Sequence, residues 1–337
     1  MLEPEDLYTL TSSRIAINPS APHYGNAVTF GAGARELESP SNLGRSSGAP
    51  TTLVVALNGF GEAGHIADQV RDELLESLTY ERLATFDADQ LIDYRGRRPH
   101  IEFDQDHLTN FQSPEIVLYK VTDLMGKDFL LLTGVEPDYQ WERFIAAIDQ
   151  LLDLSGINFV AWVHGIPMPV PHTRPLGVTV HGNRSDLTEL GSMWRPRAEL
   201  PSSVAHLMEL RLIESGRKVA GFAVHVPHYV SDAQYPPAAV TALEYLGAAT
   251  GLMLPTEDLR ESGRDVDSQI ATQMQESAEV QQVVANLEER YDEFSKNAPQ
   301  RSLLVKPDGK LADAEEIGAQ VEAFLAQSEA DQDPEDE

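Results

Sequence analysis

Residues 53–64 read LVVALNGFGEAG. Leu53 to Leu57 form an unbroken apolar run of strand length. Asn58, Gly59, Gly61 and Gly64 then turn the chain towards Ala63, Ile66, Ala67, Val70, Leu74, Leu75 and Leu78, which recur at helical spacing. A buried strand, a glycine turn and an amphipathic helix open a parallel α/β fold. The turn also spells G-x-G-x-x-G, the pattern that brings a pyrophosphate to a helix N-terminus. Asp87, at the end of the next apolar run, stands about where a ribose-binding acid would. Against that reading, Glu62 puts a negative charge inside the turn.

Further runs fit the same class. Leu83–Phe86, Ile116–Val121, Phe129–Leu132, Asn158–Val163, Leu176–Val180 and Lys218–Val224 read as strands. Residues 91–114 are polar and read as a long excursion. The stripe Trp141, Phe144, Ile145, Ile148, Leu151 and Leu152 makes a helix that Gly156 should stop. Ser202 is the expected N-cap of a helix over Ser203–Glu214, and Pro236 and Pro237 open another. From Asp265 to Ser295 one long charged helix is expected, and Ile317, Val321, Phe324 and Leu325 stripe a last one. The organisation so read is a flexible leader (1–50), an α/β/α core (51–254), a helical extension (255–327) and a disordered acidic tail (328–337).

Charge and composition narrow the function. The 337 residues carry a net charge of −29, which repels nucleic acid and anionic membrane surfaces. From Pro255 onward there are 22 acidic against 7 basic residues, a solvated acidic appendage or a docking face for a basic partner. The absence of cysteine excludes thiolate chemistry and zinc–sulfur sites. No apolar run approaches the roughly 18 residues of a membrane span, and the acidic start MLEPEDLYTL lacks a secretory pattern. Together these point to the cytoplasm.

Ligands of open α/β sheets bind beyond the carboxyl ends of the strands. The candidate cleft residues delivered there are Glu136, His164, His225 and His228; the candidate ligand turn is Asn58, Gly59, Gly61, Glu62 and Gly64 with Asp87. Pro227 keeps His225 and His228 off a common helix face, so no metal site is expected. There is neither a G-x-S-x-G elbow nor a Walker lysine, and no cofactor is implied.

The ordered series LVVALNGFGEAGHIAD, LLLTGVEPDYQWERF, FVAWVHGIPMPVPHTRP, HVPHYVSDAQYPPAAVTALEYL and TGLMLPTEDL resembles the type-two proteasome assembly chaperone family in its prokaryotic branch. The resemblance covers roughly residues 50–260, with Gly59, Phe60 and Gly64 in its glycine-rich turn and Gly134, Glu136 and Pro137 in its G-x-E-P segment. It implies a three-layer α/β/α sandwich similar to nucleoside phosphorylases and peptidyl-tRNA hydrolases. It also implies association with itself as a homo-oligomer, a trimer among the options, or with other proteins, and no catalytic set. The expected function is therefore a non-catalytic interaction or assembly-chaperone-like role. The alternatives are a hydrolase or phosphorylase-like enzyme using Glu136, His164 and His225, and a nucleotide-binding protein at Gly59–Gly64.

Overall fold

The computed structural model describes residues 3–11, 51–191, 197 and 199–297. The elements in chain order are β1 (Tyr8–Leu10), β2 (Thr52–Asn58), α1 (Ile66–Ser77), β3 (Thr79–Phe86), α2 (Ala88–Leu91), β4 (Glu102–Asp104), β5 (His107–Thr109), β6 (Ile116–Thr122) and β7 (Asp128–Val135). They continue with α3 (Trp141–Ser155), β8 (Phe159–Met168), β9 (Val178–Gly182), α4 (Ser185–Gly191), α5 (Val204–Glu214), β10 (Lys218–Pro227), α6 (Pro236–Thr250), α7 (Glu257–Glu276) and α8 (Ala278–Asn297). Eight strands form one sheet in the order β1-β3-β6-β7-β2-β8-β10-β9. The middle four, β7-β2-β8-β10, are parallel. Antiparallel strands flank them on both sides.

Strand alternation splits the apolar residues between the two faces. Val54, Ala161, Phe222 and Val224 pack with Ile66 and Val70 of α1 and with Ala239 and Leu243 of α6. Leu53, Val55, Val160 and Trp162 pack with Phe144 and Ile148 of α3 and with Met208 and Leu212 of α5. Two cores with a sheet between them make the three-layer α/β/α sandwich that the sequence leads one to expect.

Several elements differ from that expectation. Leu7 is fully buried and β1 pairs with β3 as the edge strand of the sheet, so the start of the expected leader belongs to the sheet. The polar excursion folds back as the small hairpin β4–β5. The expected single helix over 265–295 is two, because Ser277 is extended between α7 and α8. Val284 and Leu287 of α8 are buried, and Arg174, in the loop after β8, bridges Asp292 at 2.8 Å and Glu288 at 3.2 Å. The segment Ser39–Pro50, the stripe from Ile317 to Leu325 and the acidic tail lie outside the described residues. No helix among the described residues is long and apolar enough to cross a membrane.

Candidate functional site

A fork in the sheet creates the site. β2 pairs with β8 only as far as Val55 opposite Trp162. Beyond that point β2 stays with β7 up to Asn58 opposite Val135, while β8 runs on beside β10 to Met168. The glycine turn and the short 3-10 turn Ala63–His65 fill the opening. The carbonyl of Ala63 lies so close to Gly165 that a Cβ there would collide with it. What remains is a cavity of about 40 Å³ between the turn, the end of β7, β8 and the N-terminus of α5. It is lined by Gly59, Phe60, Gly61, Glu62, Glu136, Trp162, His164, Ser203 and His206, over an apolar floor that includes Val55 and Leu57.

Glu136 is buried, and its carboxylate is held by the chain itself. It accepts Phe60 N–H at 2.9 Å and Val204 N–H, the first amide of α5, at 2.5 Å. Gly59 leaves room for this: a Cβ there would run into Glu136 Oε2. The Phe60 turn amide and the N-terminus of α5 are thus occupied by an internal carboxylate. The other turn groups are also engaged. Gly64 N–H donates to Ser231 O at 2.7 Å, and its carbonyl accepts from Tyr235 N–H at 3.0 Å and from Gln69 Nε2 at 2.6 Å. Glu62 Oε1 accepts Ala67 N–H at the start of α1.

Among the described residues two buried side-chain polar atoms have no partner, Glu62 Oε2 and His164 Nε2. Burial pushes the Glu62 carboxyl up to about 8; nearby Asp68 adds to the rise and the Ala67 amide opposes it. Burial also holds the His164 imidazole well below the usual range, helped by the neighbouring His181 and His206.

His164 belongs to an aromatic cluster on the α5 face. Trp162 stacks on it with ring centres 4.5 Å apart, and His181 and His206 approach Trp162 edge-on at 5.1 and 5.3 Å. His181 comes from β9 and crosses β10 at Gly221, where any Cβ would strike its ring. Glu209 of α5 accepts from Trp162 Nε1 at 2.7 Å and pairs with His181 Nδ1 at 2.9 Å. Burial alone would raise the Glu209 carboxyl, but these partners hold it below its usual value. The N-cap of α5 is Ser203 rather than Ser202. Its Oγ accepts His206 N–H, and His206 Nδ1 accepts Ser203 N–H at 3.0 Å.

The candidate residues therefore divide. Gly59, Gly61, Glu62, Glu136 and His164 meet at the cavity. Asn58 lies beside it and donates to Asp68 Oδ2 at 2.5 Å, while Gly64 serves the packing of α6. His225 falls inside β10, opposite Ile166 and buried, with Nε2 2.8 Å from Thr179 Oγ1. Burial brings it down to about 4. His228 is exposed in the turn that follows, edge-on to Tyr229. Asp87 caps α2 by accepting Asp89 N–H at 3.0 Å. It ends β3, which β7 and β6 separate from β2, so the ribose-binding arrangement does not form. Sequence reasoning missed Trp162, His181, Ser203, His206 and Glu209; only the Ser203–His206 cap had a local signal. Among the described residues no group of three ligating side chains could hold a metal ion.

With this geometry established, comparison with known proteins places the chain. The model of the PAC2 family matches residues 56–274. The chain belongs to the PAC2 family. A Mycobacterium tuberculosis protein of unknown function is 41% identical, with 77% of this chain and 91% of that one covered and a TM-score of 0.71. A Corynebacterium glutamicum protein of unknown function is 34% identical, with 86% and 98% covered and a TM-score of 0.73. A proteasome-assembly chaperone homologue of M. tuberculosis shares the fold at 23% identity, with 70% and 99% covered and a TM-score of 0.64. No curated protein matches the chain. The PAC2 assignment agrees with the resemblance read from the five ordered segments.

Proposed function

We propose that this PAC2 protein works without catalysis, as an interaction protein of the assembly-chaperone kind. The observation that carries the reading is the state of Glu136. Each of its oxygens accepts an N–H of the same chain, from Phe60 and Val204, so the carboxylate ties the turn to α5. Family membership supports the same role, since a structural relative is a proteasome-assembly chaperone homologue. The rim of the sheet adds an apolar surface: Phe60 is 72% exposed, and Phe103, Leu108 and Phe111 of the hairpin region are each more than half exposed. Arg97 fastens the base of that region to the Glu136 carbonyl at 2.9 Å and to Asp138 at 3.0 Å. Exposed aromatic residues on an anchored hairpin suit a protein partner. The proposed partners are a second copy of the chain and the subunits of a larger assembly, in the cytoplasm.

Two measurements test this. Light scattering on the full chain should give a mass above the monomer, and the double change Phe103→Ser, Leu108→Ser should return it to the monomer. Purified proteasome α-subunits from the same source should assemble faster with the chain than without it. Turnover of a nucleoside or amide substrate that is lost in Glu136→Gln would overturn the reading.

A further inference from the structure

The helices α7 and α8 are separated by one residue, Ser277. Counted from Met274, steps of three or four residues reach Ser277, Val280, Val284, Leu287 and Tyr291. That spacing keeps one helical stripe running through the break. The chain bends there all the same, with Ser277 extended at φ −138° and ψ 109°. Ser277 Oγ accepts Val280 N–H at 3.4 Å, and Gln281 Nε2 donates to Met274 O at 2.7 Å. A helix running straight through would satisfy the same amide and the same carbonyl with regular backbone bonds. Bent, α8 lies against the loop after β8. Arg174 bridges Asp292 and Glu288, Thr173 Oγ1 donates to Glu288, and Tyr291 O–H donates to Pro175 O at 2.8 Å. Val284 and Leu287 are buried, whereas Val280 and Val283, nearer the bend, stay exposed. The loop thus selects an acidic helix face beside an apolar one. None of these contacts requires the helix to belong to the same chain.

We propose that α8 is exchanged between copies of the chain. With Ser277 helical, α7 and α8 form one rod, and α8 seats on the loop 173–175 of a second copy through the contacts it makes here within one chain. The inference rests on the self-association reading given above. Swapping an identical element repeats native contacts, so the two arrangements differ chiefly at the hinge. The 20 residues of α8 carry its far end about 30 Å beyond Ser277. Charge favours the match in either arrangement. α8 carries five acidic residues against Arg290 and Lys296, and Arg174 is the cation that meets them on the loop. In the rod Val280 falls into line with Met274 and Val284, on the side that faces the second copy.

The chain has no cysteine, so single introduced thiols report on this directly. Two differently tagged full-length chains, one Thr173→Cys and the other Glu288→Cys, are co-expressed and treated with a short bis-maleimide. Arg174 and Asp292 are kept in both. A product carrying both tags is expected, because α8 of one copy then lies on the loop of the other. None is expected when Glu279→Cys, on an exposed part of α8 nine residues away, replaces Glu288→Cys. Ser277→Ala removes the cap of α8 and favours a helix interior, and should raise the ratio of two-tag product to free chain about fivefold. Ser277→Gly still serves as a cap but weakens a helix interior, and should lower that ratio. Light scattering on the same samples gives the mass. A mass above the monomer with no two-tag product, while the double variant Thr173→Cys, Glu288→Cys cross-links within itself, overturns the exchange alone. So does a ratio that is the same in Ser277→Ala and Ser277→Gly. A monomer mass overturns the exchange together with the self-association on which it rests.

Discussion

At the amino ends of the parallel strands, Arg217 is buried just before β10 and every side of its guanidinium is engaged. Nε bonds Asp149, Nη1 donates to Ile157 O at 2.7 Å, and Nη2 donates to Asp149 O at 2.9 Å and Asp153 Oδ1 at 2.5 Å. At the carboxyl ends, Glu62 and His164 are half-buried, and the inaccessible atoms Glu62 Oε2 and His164 Nε2 have no partner. Both ends bury polar side chains against the same sheet. The Arg217 cluster ties the end of α3 to the strands and has nothing to offer a ligand. The fork has unmet hydrogen-bonding capacity, which is costly unless something fills it.

The largest effect should come from dismantling the satisfied end. Arg217→Ala removes the partner of two carboxylates and two carbonyls and should cost about 3–5 kcal/mol in denaturant unfolding. A loss below about 1 kcal/mol would mean that the cluster is no keystone and would erase the contrast.

The next effect reads the fork by pH. Glu62 binds its proton more tightly folded, near 8, than unfolded, so its contribution to stability declines as pH rises from the ordinary carboxyl range to about 8 and is constant above. Glu62→Gln lacks this dependence. Its stability relative to the wild type should therefore climb through that window, by at most about 1.4 kcal/mol per pH unit. A flat difference between pH 5 and 8 would show that Glu62 is solvated. The sign is opposite for His225, whose folded value near 4 makes its contribution fall as pH drops from the ordinary histidine range towards 4.

The smallest effect should be at the orphan imidazole. His164→Leu removes a buried ring nitrogen that makes no hydrogen bond, and stability should change by less than about 1 kcal/mol in either direction. A loss as large as that of Arg217→Ala would show that the Trp162–His164 stack carries structural weight.

Much of the architecture was legible along the chain. The run Leu53–Leu57, the stripes of α1 and α3 and the Gly156 stop are local patterns, set by periodicity and by the left-handed backbone at Gly156. Ser277 hid the break between α7 and α8, because a serine within a charged helical pattern carries no stop signal. Half of the candidate site was legible too. Glu62, Glu136 and His164 follow strand ends or lie on a strand, and strand ends in parallel sheets converge. His225 was misplaced because β10 continues through it, still paired with β8, and apolar content does not mark where pairing stops.

The sequence by itself determined the layers, the family and the excess of negative charge, since these depend on residue type and spacing. Tertiary structure decided what the residues 53–64 do. The G-x-G-x-x-G pattern specifies a tight turn into a helix, and it forms one. Whether that turn meets a phosphate depends on what lies across from it, and strand order puts β7 there with Glu136 and sends Asp87 to β3. The same packing lets His181 reach Trp162 over Gly221 and leaves Glu62 Oε2 and His164 Nε2 without a partner.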